Sequence, residues 1–240
     1  MNATFGLDRC LSFINSQLQT SEKHPEPWVS HFPRLAITIS RQSGCGAHVV
    51  AEKLAAHLQA RTPKDAPPWT AFDRNLVERV LAEHRLPEHI ASYMPEDRIT
   101  EINDIMDELF GLRPSSWTLV QKTAETILHL AELGNVILVG RGSTIITAKL
   151  PHVVHVRLIG SLEQRIQKMR EFESLDQNEA ARRVHDEDLG RQRYVRKHFE
   201  ENIDDPLLYH LVINTDHVSL DDAASLIGDY ALNRKCPVAA

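Results

Sequence analysis

The sequence predicts an α/β fold built on one parallel sheet. Short β-rich runs fall at 35–40, 70–73, 136–140, 153–158 and 210–214. Several are almost continuously apolar, as expected of strands covered on both faces. Long stretches of helical periodicity separate them, and strand–helix alternation implies right-handed crossovers joining parallel neighbours.

The elements follow in chain order. Phe5, Leu7, Leu11, Phe13, Ile14 and Leu18 share one face of a predicted helix over 4–19. Pro25, Pro27 and Pro33 then mark a linker, so residues 1–33 read as an appendage. Its helix could pack on its own domain, on a second copy of the chain or on another partner. A main domain over 34–235 follows, then a tail at 236–240. Helical patterns occupy 46–60, 75–84, 97–110, 116–133, 161–173, 177–199 and 219–233. The all-helical insert at about 75–133 exceeds a minimal doubly wound fold, and inserts of this kind commonly cover a ligand cleft.

Bulk properties narrow the function. A chain of 240 residues with 42% hydrophobic content can bury a sizeable core. Its formal net charge of −6 opposes general nucleic-acid binding, which needs a broad basic face. A small phosphorylated ligand needs only a few local cations. Cys10, Cys45 and Cys236 form neither a CxxC nor a zinc-spaced group, and no metal site is expected. Unpaired cysteines, no membrane-length apolar run and no leader pattern lead to a cytoplasmic expectation without membrane contact.

The strand at 35–40 runs into Ser40-Arg41-Gln42-Ser43-Gly44-Cys45-Gly46-Ala47-His48, and Val49, Val50, Leu54, Ala55 and Leu58 continue as a helical stripe. Gly44 and Gly46 allow the backbone N–H groups to converge on an anion, and the helix adds its positive N-terminal end. A ligand-free structural turn suits the same residues. The loop departs from GxxxxGK[ST], because Ala47 replaces the lysine and Arg41 stands at the first glycine position. Arg41 is the nearest cation that could substitute. Cys45 reads as a space-filling residue, although the nearby helix N-terminus could lower its thiol pKa.

At the end of the run 136–140, Arg141 faces the crevice where parallel sheets bind ligands, and its planar fork suits a phosphate. A surface arginine in a turn is the alternative. Residues 182–198 are rich in both charges and could be merely a solvated face. Arg191 and Arg193 are two apart and so do not share a helical face, which suits a helix end or a lid loop. The scattered histidines, His129, His152 and His155 among them, read as packing or solvent-facing residues.

In order and spacing, ITISRQSGCGAHVVAEKLA, FDRNLVE, VILVGRG, PHVVHVRLIGSLEQRIQKM, DLGRQRYVRKHF and LVINTDHVSLDDAASLI resemble the cytidylate kinase-like family, a divergent branch of the P-loop nucleoside monophosphate kinases. The resemblance covers about residues 35–232. It implies a P-loop NTPase-type five-stranded parallel sheet flanked by helices, a helical acceptor-binding insert and an arginine-bearing lid at about 182–199. It further implies ATP with Mg²⁺ held mainly by the nucleotide, and phosphoryl transfer to a CMP- or dCMP-like acceptor. Carried over residue by residue, Arg41, Gln42, Ser43, Gly44, Cys45, Gly46, Ala47 and His48 would hold the donor phosphates. Asp73, Arg74 and Arg141 would bind the acceptor. Arg191, Arg193 and Arg196 would form the lid, with Arg41, Arg141, Arg191 and Arg193 carrying the chemistry. Gly142 stands where the family's GRD carboxylate is expected, and Leu189 where a lid arginine often lies. A catalytically weak nucleotide-binding module and a small-molecule kinase with another acceptor are the alternative functions.

Overall fold

The computed structural model describes residues 35–63, 66–73, 96–110 and 118–234. The predicted N-terminal helix, the helix at 75–84, Arg74 and the tail lie outside them. Among the described residues, five parallel strands form one sheet flanked by seven helices. The strands are β1 (Ala36–Arg41), β2 (Thr70–Phe72), β3 (Val136–Val139), β4 (Val153–Ile159) and β5 (Leu211–Asn214). Their order across the sheet is β2-β3-β1-β4-β5. This places β1 at the centre, paired with β3 on one side and β4 on the other. The order reverses beside β1, so the loops leaving β1 and β3 open a crevice at the strands' carboxyl ends.

The helices are α1 (Ala47–Gln59), α2 (Glu96–Phe110), α3 (Thr118–Leu133), α4 (Ser143–Ile146), α5 (Leu162–Glu173), α6 (Gln177–Phe199) and α7 (Leu220–Asn233). Strand alternation divides the core into two layers. On one face Ile37, Ile39, Ile137, Val154, Val156 and Leu158 pack against Val50, Leu54 and Leu58 of α1 and Ala223 and Ile227 of α7. On the other, Ala36, Val136 and Leu138 pack against Ile127, Leu128 and Ala131 of α3 and Ile102 and Phe110 of α2.

This second face turns polar towards the crevice. Thr38 pairs in register with His155, and Ser40 with Arg157. Both pairs are bonded: Thr38 Oγ1 lies 2.9 Å from His155 Nδ1, and Arg157 Nη1 donates to Ser40 Oγ at 2.8 Å. Thr144 of α4 meets the Thr38 hydroxyl at 3.1 Å. Buried polar groups in this position must be satisfied, and the ladder does so while clamping β1 to β4.

Of the packing and solvent-facing roles open to them in the sequence, His155 and His129 take the first, and both are buried. Burial, with His210 and Arg234 nearby, brings the His155 imidazole down to about 3, and burial alone brings His129 down to about 4. Both are therefore neutral in the fold and bind protons more readily once the chain unfolds. Their contribution to stability is full above pH 6.5 and is lost progressively as pH falls towards those depressed values. Thermal unfolding should accordingly show Tm falling with acidification below pH 6.5, and His155→Asn should flatten that slope. An unchanged slope in the variant would contradict the neutral buried imidazole.

Candidate functional site

β1 ends at Arg41, and the chain crosses the top of the sheet before entering α1 at Ala47. Gly44 has φ +83°, and a Cβ there would overlap the backbone carbonyl of Arg165. No L side chain meets both demands, so the loop's course depends on this glycine. Helix α1 begins from Gly46 in the left-handed region, with no side-chain cap and no acidic residue in its first turn. By contrast, Ser161, Asp176 and Ser219 cap α5, α6 and α7. The first-turn N–H groups of a helix have no intrahelical acceptor, so α1 presents uncompensated donors beside the loop.

A cavity of about 920 Å³ opens over this loop. Residues 40–49 line it from the β1 side, Asp73 from β2, residues 140–145 from β3 and α4, and Glu187, Arg191 and Tyr194 from α6. Its size is that of a ligand pocket rather than a packing defect.

Three arginines converge there. Arg41 lies against Gly140, whose missing Cβ leaves room for the guanidinium; a Cβ would overlap Arg41 Nη1. Burial lowers the Arg41 pKa to about 10, and Arg191 and then Arg141 push it the same way, against Glu187 and Asp73. It therefore stays charged at neutral pH. Arg141 has φ +59° between Gly140 at +85° and Gly142 at +71°, an outlying conformation for a residue with a side chain. The Tyr194 ring lies 5.7 Å from its guanidinium carbon.

Arg191 is embedded in a network with the loop. Its Nη1 donates to Ser43 Oγ at 3.0 Å and to Asp188 Oδ1 at 3.1 Å, and its Nη2 to Glu187 Oε2 at 2.7 Å. Ser43 N–H donates to Asp188 Oδ1 at 2.7 Å, and the Ser43 hydroxyl donates to Glu187. Arg165 Nη1 donates to Asp188 Oδ2 at 2.6 Å and to the Ser43 carbonyl at 3.1 Å, while its Nε reaches the Gly160 carbonyl at 3.0 Å. Arg165 thus joins the loop, the β4–α5 turn and α6. Burial pushes the Glu187 carboxyl up, but the bonds from Ser43 and Arg191 outweigh it and hold the group below its usual range.

The structure brings together Arg41, Gln42, Ser43, Gly44, Cys45, Gly46, Ala47, His48, Asp73, Arg141 and Arg191 around one cavity. It separates Arg193 and Arg196 from them. The expected helix end or lid loop at 191–193 is instead the interior of one 23-residue helix. Helical geometry turns Arg191 towards the cavity, and Arg193 and Arg196 are exposed and outside its lining. Cys45 is buried in the α1-side core, and burial raises its thiol pKa despite the opposing hydrogen bond from Thr215. The space beyond Gly142 is filled: a Cβ there would come within 2.5 Å of Phe199 Cε2. An aromatic ring thus occupies the direction in which a side chain at position 142 would extend.

Sequence reasoning passed over Ser43's partners Glu187 and Asp188, and also Arg165, Arg157, Tyr194 and Tyr209. Spacing could have found the α6 group, because 184, 187, 188, 191 and 195 follow one helical face. Arg157 and Arg165 carried no local signal. Arg157 is buried in β4 and links Ser40 to Asp204 Oδ1 at 2.5 Å, with Tyr209 donating to Ser40 Oγ at 3.2 Å.

The fold is an α/β protein with a crevice at the carboxyl ends of its parallel strands, where a glycine loop and converging guanidinium groups meet in a geometry suited to an anion. The profile of the cytidylate kinase-like family matches residues 36–217, and the chain belongs to that family. An uncharacterized protein from Eubacterium ventriosum ATCC 27560 is similar in structure, with TM-score 0.60 and 20% identity over 83% of this chain and 99% of that one. This likeness supports the fold alone. TT1252 from Thermus thermophilus aligns over 85% of this chain and all of its own, with 15% identity and TM-score 0.37. No curated protein matches the sequence.

Gly44→Ala should destabilise the chain by about 1–3 kcal/mol, since it adds both left-handed strain and a backbone clash. Thermal melts at pH 7 should show Tm several degrees below wild type. An unchanged Tm would contradict the close packing of the loop on Arg165.

Proposed function

We propose that the protein transfers a phosphoryl group from ATP to a nucleoside monophosphate of CMP or dCMP type. The observation that carries this reading is the convergence of Arg41, Arg141 and Arg191 on one cavity beside the glycine loop. Phosphoryl transfer asks a protein for positioning and for positive charge around the phosphate oxygens.

The loop fits ATP phosphates in two respects. Gly44 and Gly46 hold its backbone in left-handed turns of the kind that form anion nests, and α1 starts without a competing cap. Residues 41–48 would hold the donor phosphates, with Arg41 supplying charge in place of the lysine that Ala47 lacks. Mg²⁺ bound with the nucleotide would neutralise phosphate charge. Arg141, aimed by its constrained backbone and backed by Tyr194, would hold the acceptor phosphate, with Asp73 on the same wall. Arg191 moves with α6 and is the lid arginine that contributes to transfer. Arg193 and Arg196 face away from the cavity lining, so they act in the solvated part of the lid or not at all.

A second reading, nucleotide binding with little turnover, has one observation in its favour. The Ser43 N–H that would face a phosphate is already bonded to Asp188. A third, transfer to a different small-molecule acceptor, follows from Phe199 standing against Gly142, because a carboxylate there cannot read the base.

A coupled assay with ATP, Mg²⁺ and a panel of monophosphates separates the three. CMP or dCMP turnover supports the first; ATP binding without turnover on any acceptor supports the second, and turnover only on another acceptor the third. Within an active enzyme, Arg41→Ala should lower kcat by at least tenfold, about 1.4 kcal/mol of transition-state stabilisation. Arg193→Ala should stay within about twofold of wild type, well under 1 kcal/mol. Near-wild-type turnover in Arg41→Ala would remove that arginine from the mechanism.

A further inference from the structure

The innermost donors of the loop already hold an anion, and it belongs to the protein. Asp188 Oδ1 accepts from Ser43 N–H at 2.7 Å, and Glu187 accepts from the Ser43 hydroxyl. The same two carboxylates take both ends of the Arg191 guanidinium, at 3.1 and 2.7 Å. Carboxylate and phosphate oxygens compete for the same N–H, hydroxyl and guanidinium donors. The carboxylates are also held in place from behind. Arg165 bonds the second oxygen of Asp188, Arg183 lies 3.3 Å from Glu187, and Val184 and Val195 anchor this face of α6 in the interior.

The competition has unequal outcomes for different anions. A single phosphate entering at Ser43 would displace two carboxylates to gain the donors they release, and would then sit beside their negative charge. A chain of phosphates also reaches donors to which the two carboxylates are not hydrogen-bonded, although Glu187 lies near enough to Arg41 to act on its charge. These are the guanidinium of Arg41, which makes no hydrogen bond among the described residues, and the uncapped start of α1.

We propose that Glu187 and Asp188 are specificity-determining residues of the phosphate loop, an internal anion that excludes a lone phosphate and yields only to a ligand carrying several linked phosphates. The proposal rests on the reading of residues 41–48 as the donor-phosphate loop. It assigns the loop's selectivity to α6 rather than to the loop itself. Lid position and ligand class are then coupled, because the displaced carboxylates and Arg191 share one helix.

The test is calorimetric titration of the full chain, in metal-free buffer, with inorganic phosphate and with tripolyphosphate. Wild type should bind tripolyphosphate and take up phosphate weakly. In Glu187→Gln and in Glu187→Gln/Asp188→Asn, phosphate affinity should rise by about tenfold, or about 1.4 kcal/mol, and tripolyphosphate affinity by less. The selectivity ratio therefore narrows. Because Asp188 also anchors Arg165, the single Glu187→Gln variant decides if the double variant fails to fold. An unchanged ratio, or weaker phosphate binding in Glu187→Gln, overturns the proposal while leaving the phosphate-loop reading intact. Failure of tripolyphosphate to bind wild type and variants alike overturns both.

Discussion

The structure depends on holding three guanidinium groups beside one another at the top of the sheet. Arg41, Arg141 and Arg191 repel, and the depressed pKa of Arg41 records both that repulsion and its burial. Such a cluster forms only where the backbone leaves no alternative and where carboxylates offset the charge. Gly140 makes room for Arg41, the left-handed backbone aims Arg141, and Glu187 and Asp188 grip Arg191. The strain and the like-charge contact are offset by the packed layers beneath, where β1 lies between β3 and β4 with apolar cores on both faces.

The polar ladder on one face of β1 connects the core to the site. Thr38–His155 lies deep in the sheet, and Ser40–Arg157 lies one step nearer the crevice. Arg157 continues to Asp204, just past the end of α6, and Asp204 in turn accepts from Gln192 at 3.0 Å. The end of β1, helix α6 and the segment that follows it are therefore one bonded unit. Movement of α6 would be felt at Ser40, one residue before Arg41.

The departures from the familiar phosphate loop also make structural sense. Ala47, at the start of α1, joins the apolar core on one side and lines the cavity on the other, and its methyl group brings no charge to either. Arg41 places a buried guanidinium at the strand's end, on the same cavity. Gly142 is more than a lost carboxylate, because Phe199 occupies the adjoining space, and that ring packs edge-on to Phe110 at 6.2 Å and Tyr194 at 6.0 Å. One aromatic cluster joins the end of α6 to the helical insert.

Much of this architecture was legible in the sequence, because it rests on local periodicity. The apolar runs located all five strands, and the helical pattern at 177–199 matches α6. The glycine loop and Arg141 were visible because glycines and strand-end arginines have positional meaning. Which arginine of 191, 193 and 196 faces the cavity depended on helix continuity, and a spacing of two was misread as a helix end. Phe199 against Gly142, Arg165 beneath the loop and the carboxylates on Ser43 lay beyond sequence reading. Each contact joins residues far apart in the chain, from 57 for Phe199 and Gly142 to 145 for Ser43 and Asp188. Periodicity encodes which face of an element is buried, so the sequence by itself determined the layers and the loop. The tertiary structure alone decided what occupies the site, because charge pairing and steric exclusion depend on distance in space.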